Sequence, residues 1–383
     1  MYLKQGWLSP AYVTTDKSGK ITNISNQHSA EVNEEINGFA ITPITNSHSH
    51  AFQYGMAGLT ENIPQGQGHD NFWSWRDRMY RLADQINPDQ MESIAKMLYA
   101  EMLRAGYNHV VEFHYLRNDE KGNNYTNPNE MSDRLISAAL KVGMKITLVP
   151  VYYRCSDFGK EPSEAQKRFQ FSSTESYFKH IESLSSTYAS NTEVTIGYGL
   201  HSLRIATANE IKEIISYNLE LPCHLHISEQ MKEVDACVQY LGARPVEWLT
   251  TETEVGSNCH LVHSTHITND EMNAIIRADA NVVICPTTEG NLGDGIFPLI
   301  NYQKLNGKWS IGTDSHVGLN PLEEIRILDY GQRLISHKRN IMIGNDYHDS
   351  GQYAINQVTV AGRKAMNNYT ESYFAVGQDF DAV

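Results

Sequence analysis

The feature that most constrains this chain is a repeated switch between two periodicities. Eight short apolar runs, Ala40–Thr45, Asn108–Phe113, Lys145–Val151, Val194–Leu200, Pro222–Ile227, Asn258–His263, Asn281–Pro286 and Trp309–Thr313, alternate with stretches of helical period. Several runs are rich in β-branched residues, as parallel strands buried on both faces require. The stretches between them carry helix signals. Asn87-Pro88 opens one that places Met91, Ile94, Leu98 and Met102 on one face and ends at Gly106. Thr207 with Glu210 and Thr268 with Glu271 read as capping boxes, and Asn320-Pro321 opens the helix after the last run. Eight strand–helix units in succession predict an α/β fold, a closed (β/α)8 barrel of parallel strands. An open doubly wound sheet would need a Gly-rich phosphate turn after its first strand, where this chain has histidines.

The segments outside this repeat have a different texture. Gln5–Val13 and Lys20–Ile24 flank a turn around Asp16–Gly19, and the final Ala375–Val383 also reads as strand. The expected organisation is a small β-sandwich-like domain from residues 1–42 and 367–383, around a barrel at 43–366. The chain stops abruptly at Val383, as if a longer β segment followed. Two connections are long, Ala51–Asn87 after the first strand and Tyr152–Asn191 after the third, and are expected to shape a pocket.

Composition narrows the function. A net charge of -14 argues against a nucleic-acid partner. The five cysteines are scattered and form no Cys-x-x-Cys, so neither a disulfide framework nor a zinc knuckle is expected. No signal peptide and no membrane span is read, and the expected location is the cytoplasm.

The chemistry is concentrated at the carboxyl ends of the strands. The first strand runs into His48-Ser49-His50, whose alternate residues share one side. Alone, such a pair is more often two polar residues at a strand exit. However, His226 ends the fifth strand, His263 the sixth, and Asp314 follows the eighth, and this is the face where barrel enzymes place their sites. Three histidines and a carboxylate suit one divalent metal. Zinc fits best, with iron or manganese compatible. No lysine stands at a strand end to bridge a second ion. Glu229, three residues after His226, is placed to shuttle a proton, although a carboxylate in a first helical turn is also favoured by the helix dipole. His263 is read as a base beside the metal, with direct ligation as the alternative.

These residues resemble the amidohydrolase superfamily in its deaminase branch. Longer strings are similar to the formimidoylglutamate deiminases of bacterial histidine degradation: NSHSHAFQYGMAGLTE (Asn46–Glu61), FWSWRDRMYR (Phe72–Arg81), EFHY (Glu112–Tyr115), HSLR (His201–Arg204), HISEQ (His226–Gln230), CPTTEGNLGDGIFP (Cys285–Pro298) and GTDSH (Gly312–His316). The resemblance implies that His48, His50, His226 and Asp314 hold the metal. It implies that Glu229, His263 and Asp314 carry catalysis, and that Gln53, Arg76, Tyr115, His201 and Arg204 bind substrate. The implied reaction converts N-formimino-L-glutamate to N-formyl-L-glutamate and ammonia. Asp314 and His263 would take a proton from the attacking water, and Glu229 would give one to the leaving nitrogen.

The substrate would be a small dianion derived from an amino acid, and two arginine forks suit two carboxylates. Arg78 and Arg81 are alternatives to Arg76. A homodimer is implied as well. The chain departs from the family pattern at Tyr54, Gly290 and Leu200, and in its shorter C-terminus. The competing readings are a nucleobase, nucleoside or aminotriazine deaminase on the same metal site, and an inactive barrel that only binds.

Overall fold

The computed structural model describes residues 1–28, 32–63, 70–344 and 347–383. The chain opens with two antiparallel ribbons, β1 (Tyr2–Leu3) with β2 (Gly6–Trp7) and β3 (Tyr12–Thr15) with β4 (Ile21–Ser25). The barrel strands follow: β5 (Ile44–Ser49), β6 (Tyr107–His114), β7 (Lys145–Tyr152), β8 (Val194–Ile196), β9 (Tyr198–Leu200), β10 (Cys223–Ile227), β11 (Cys259–His263), β12 (Asn281–Ile284) and β13 (Lys308–Ile311). Between and after them lie α1 (Phe72–Ala83), α2 (Pro88–Ala105), α3 (Glu130–Val142), α4 (Thr174–Tyr188), α5 (Ala208–Ile215), α6 (Met231–Leu241), α7 (Pro245–Glu252), α8 (Asn269–Arg277), α9 (Pro286–Leu292), α10 (Leu299–Lys304), α11 (Pro321–Ser336) and α12 (Ser350–Ala365).

The strands pair in the order β13-β12-β11-β10-β9-β7-β6-β5, with β8 beside β7, and every pair is parallel. The two ends of this order meet. Thr313 and Asp314 donate backbone N–H groups to the His48 carbonyl at 3.1 and 3.0 Å, and the His50 N–H reaches the Asp314 carbonyl at 3.2 Å. Closure needs a glycine at 312, because a Cβ there would stand 2.7 Å from the His48 Cβ. The barrel closes where two metal-ligand candidates sit, so the seam that completes the fold also brings them together.

Two strands differ from the sequence expectation by more than one or two residues at an end. The first strand is Ile44–Ser49 rather than Ala40–Thr45. Its polar residues are buried and held by partners: Asn46 exchanges hydrogen bonds with the Thr313 hydroxyl at 2.7 Å and the Thr313 N–H at 3.0 Å. The run Val194–Leu200 is broken at Gly197 into β8 and β9. Gly197 and Gly199 are compressed against the Pro222 and His224 carbonyls, and a Cβ on either would collide.

The helix signals act as read. Asn87 accepts from the Gln90 N–H, Pro88 occupies the first turn, and Gly106 ends α2 at φ 105°. Thr207 and Thr268 complete capping boxes, and the Asn320 side chain accepts from the Leu322 N–H. α2 buries Met91, Ala95, Leu98, Tyr99 and Met102. Burying a side chain of this size is worth roughly 1.5–3 kcal/mol.

The chain ends meet each other. Ile41 and Val383 exchange backbone hydrogen bonds at 3.0 and 2.9 Å, and Ile21 donates to the Gln378 carbonyl at 2.7 Å. Tyr2, Ile21, Tyr373 and Phe374 form a separate small apolar cluster. The final Ala375–Val383 is not a strand, however. It contributes one bridge, Asp379 to Lys20, and the β structure at this end amounts to two separate ribbons. With so few residues, edge hydrogen bonds form without a ladder. Part of the long connection after the first strand, residues 64–69, lies outside the described residues. The cysteines are all free, and among the described residues no helix is long and apolar enough to cross a membrane.

Candidate active site

His48 lies inside β5 and His50 just past it, so both imidazoles project to the same side. His226 enters from β10 and Asp314 from the turn after β13. The Nε2 atoms of His48 and His226 are 2.9 Å apart, those of His48 and His50 3.1 Å, and those of His50 and His226 3.3 Å. Asp314 Oδ1 lies 3.2 Å from His50 Nε2 and 3.7 Å from His48 Nε2.

Three imidazole nitrogens cannot all satisfy one another at one point. A tetrahedral ion with bonds of about 2.0–2.1 Å sets its ligands roughly 3.3 Å apart, which matches this spacing. Burial first, then neighbouring histidines, depresses His48 and His226 well below the ordinary histidine value, so both are neutral donors. His50 Nδ1 faces the Phe113 carbonyl at 2.9 Å, which leaves Nε2 for an ion.

A second cluster adjoins the first. His263 Nε2 is 3.6 Å from Glu229 Oε1 and 3.7 Å from Asp314 Oδ2, while its Nδ1 is 3.2 Å from Glu289 Oε1. Burial opposes the charged ring, but Glu229, Glu289 and Asp314 outweigh it and hold His263 well above its ordinary range. Burial, the largest influence, raises the Glu229 carboxyl to about 7. The backbone N–H groups of Ser228 and Glu229 are tied to the Glu233 carboxylate, which fixes the turn carrying Glu229. Ser228, His263, Ser264 and Asp314 all take positive φ, 52°, 70°, 52° and 47°. Non-glycine residues in this region cost of order 1–3 kcal/mol each, and such strain clusters where side chains must be aimed.

A cleft opens above these groups. Gln53, Arg76, Tyr115, His201 and Arg204 all line it. Gln53 donates to the Tyr115 hydroxyl at 2.9 Å. The His201 ring packs 4.7 Å from His226 and 5.4 Å from Tyr115. Arg204 is only 7% exposed, yet among the described residues its Nε has no acceptor, and the Arg76 Nε is equally without one. Arg78 is occupied elsewhere, donating to the Thr60 and Asn62 carbonyls at 2.7 Å each, and Arg81 is exposed.

Three carboxylates were not singled out from the sequence. Glu289 orients His263. Glu112 accepts from the Ser49 hydroxyl and the Ala51 N–H at 2.6 Å each and braces the strand end between the two histidines. Asp294, bonded to Gln230, lies near Glu229 and His263. All three stand inside the family-like motifs, but nothing in their spacing distinguishes them from surface acids.

A model of the amidohydrolase family matches residues 40–383. The chain belongs to the amidohydrolase family. Members of the amidohydrolase family bind a metal, and His48, His50, His226 and Asp314 form a buried group that could hold one here. Formimidoylglutamate deiminase of Pseudomonas aeruginosa is 39% identical over 381 residues, covering 99% of this chain and 83% of that protein. The crystal structure of an amidohydrolase from Brucella melitensis superposes with a TM-score of 0.93 at 37% identity, covering 99% of this chain and 84% of that one. A zinc-bound adenosine deaminase from Xanthomonas campestris, at 19% identity and TM-score 0.70 over 90% of this chain and 71% of its own, shares the fold.

Proposed function

We propose that this amidohydrolase hydrolyses N-formimino-L-glutamate to N-formyl-L-glutamate and ammonia, using one divalent metal, with zinc the best fit. The relative from Pseudomonas aeruginosa supports the reaction. The observation that carries the substrate class is Arg204: a buried guanidinium facing the cleft, its Nε without an acceptor among the described residues. Leaving a buried donor of a charged group without an acceptor costs about 1–3 kcal/mol or more, and a substrate carboxylate answers that cost. Arg76, on the same cleft, supplies a second fork.

A divalent ion held by His48, His50, His226 and Asp314 supplies Lewis-acid chemistry at neutral pH. A cation on Asp314 would offset the carboxylates that favour the charged His263 ring, and His263 Nε2, with Asp314 Oδ2, then accepts the proton of the water that attacks the formimino carbon. Glu229 then protonates the departing nitrogen, the bond from carbon to that nitrogen breaks, and ammonia leaves. A carboxyl near 7 can both hold and release a proton at neutral pH. Gln53, Tyr115 and His201 orient the substrate by neutral hydrogen bonds. The two chain ends, 1–42 and 367–383, form a separate supporting unit in this reading.

The test is ammonia release by zinc-loaded protein from N-formimino-L-glutamate, with N-formimino-glycine and guanine as controls. Release from the glutamate compound alone is expected. Arg204→Met should lower kcat/KM by roughly 10- to 100-fold, the worth of a charged hydrogen bond. Equal turnover of the glycine compound, or an indifferent Arg204→Met, overturns the reading.

A further inference from the structure

We propose that Trp73 is a positioning residue, whose indole gathers Arg76, Arg204 and Lys232 into one three-cation receptor that selects a ligand with two carboxylates. This inference rests on the reading above, and adds to it two residues that neither the strand-end pattern nor the metal site involves.

The geometry is as follows. The Arg76 guanidinium carbon lies over the Trp73 ring at 4.6 Å from its centroid, the Lys232 ammonium at 4.3 Å and the Arg204 guanidinium carbon at 5.8 Å. All three distances are within the range of cation–π attraction. The cations come from different parts of the barrel rim. Trp73 and Arg76 are one helical turn apart on α1, Arg204 lies in the short turn after β9, and Lys232 stands in the first turn of α6. Arg76 also lies 5.5 Å from the Tyr80 ring, so α1 presents it between two aromatic faces.

Like charges gathered in this way repel, and a protein usually answers with a carboxylate. Among the described residues, no ion pair within 4.0 Å is made by Arg76, Arg204 or Lys232, and Glu233 and Glu229 act on Arg204 only from farther off. An aromatic face differs from a carboxylate in one respect that matters for binding. It attracts the cation without consuming its N–H donors. The forks of Arg76 and Arg204 therefore stay open toward the cleft they line. A carboxylate in place of Trp73 would neutralise the receptor; an aliphatic residue would let the cations drift apart. In a chain of net charge -14, such a concentration of positive charge is also the local feature that draws an anion in. Lys232 is exposed and does not line the cleft, so its part is field and placement of the indole rather than contact.

The experiment uses the full zinc-loaded chain and two readouts. Calorimetry measures binding of glutarate, with butyrate as the single-carboxylate control, and steady-state kinetics measures kcat and KM for N-formimino-L-glutamate. Glutarate should bind more tightly than butyrate. Trp73→Leu should weaken glutarate and raise KM by roughly 3- to 30-fold, with kcat at saturation within about threefold, because cation–π attraction is the lost quantity. Trp73→Phe should restore most of the affinity. Lys232→Met, at an exposed position where folding is not at stake, should weaken glutarate by roughly 2- to 5-fold and flatten the dependence on salt.

Unchanged glutarate affinity in Trp73→Leu overturns the proposal. So does a parallel loss of kcat and thermal stability without rescue by Trp73→Phe, which would mark a purely structural residue. Trp73-dependent glutarate binding without turnover of N-formimino-L-glutamate leaves the receptor standing and removes the proposed reaction. Turnover with a KM indifferent to Trp73 does the reverse.

Discussion

His263 Nδ1 lies 3.2 Å from Glu289 Oε1, and the same carboxylate oxygen accepts the Cys285 backbone N–H at 2.9 Å. A proton on Nδ1 satisfies Glu289 and leaves Nε2 facing Glu229 and Asp314. A base that must receive a proton at one nitrogen needs its other nitrogen fixed in this way. Glu289→Gln keeps the shape but can present its amide N–H to Nδ1 and favour the wrong tautomer. We expect kcat to fall by roughly 10²-fold or more with bound metal retained. A near wild-type rate with full metal content would separate Glu289 from the chemistry.

The three converging Nε2 atoms make a separate prediction. His226→Ala removes one donor from the buried set of His48, His50, His226 and Asp314. Metal per chain, measured by mass spectrometry of the purified protein, should drop well below one, and activity should vanish with it. Metal retained at one per chain would mean that the ion, if bound, sits elsewhere.

Gly312 tests whether barrel closure and metal binding are one event. A Cβ at 312 would stand 2.7 Å from the His48 Cβ and 2.8 Å from the His48 nitrogen. Gly312→Ala should destabilise the fold by about 1–3 kcal/mol or more, as overpacking does, and weaken metal affinity by moving His48. Thermal unfolding with and without zinc reads both effects. A smaller zinc-induced rise in Tm than wild type is expected, and an equal rise would uncouple the seam from the site.

Acid stability follows from a histidine remote from the metal. Burial, and secondarily Lys145, holds His109 at about 3 against an ordinary 6.5; its Nε2 meets the Thr147 hydroxyl at 2.8 Å. Below 6.5 the unfolded chain takes up a proton that folded His109 refuses. The contribution is therefore complete above 6.5 and is lost as pH falls toward about 3. In metal-free protein, Tm should decline over this window, and His109→Asn should make the decline shallower. Identical slopes would show that other groups control the acid limb.

Much of the molecule was legible because its signals are local. Helix starts at Asn87, Thr207, Thr268 and Asn320 depend on residues three positions apart or fewer, and they formed as read. The first strand was misplaced because its polar half, Asn46 to Ser49, is stabilised by partners more than fifty residues away, which no window reveals. The break at Gly197 has the same origin, since it answers to the Pro222 carbonyl across the barrel.

The site divides along the same line. The sequence alone determined the barrel repeat, the alternation of His48 and His50, and the placing of His226, His263 and Asp314 at strand ends. Those follow from strand periodicity and chain order. Only the tertiary structure decided that three Nε2 atoms converge within 3.3 Å, that Glu289 rather than another acid orients His263, and that Trp73 meets cations from three rim segments. The reason is physical. Periodicity fixes which side of a strand a residue faces, but distances between strands depend on how the barrel closes and on which side chains its interior can hold.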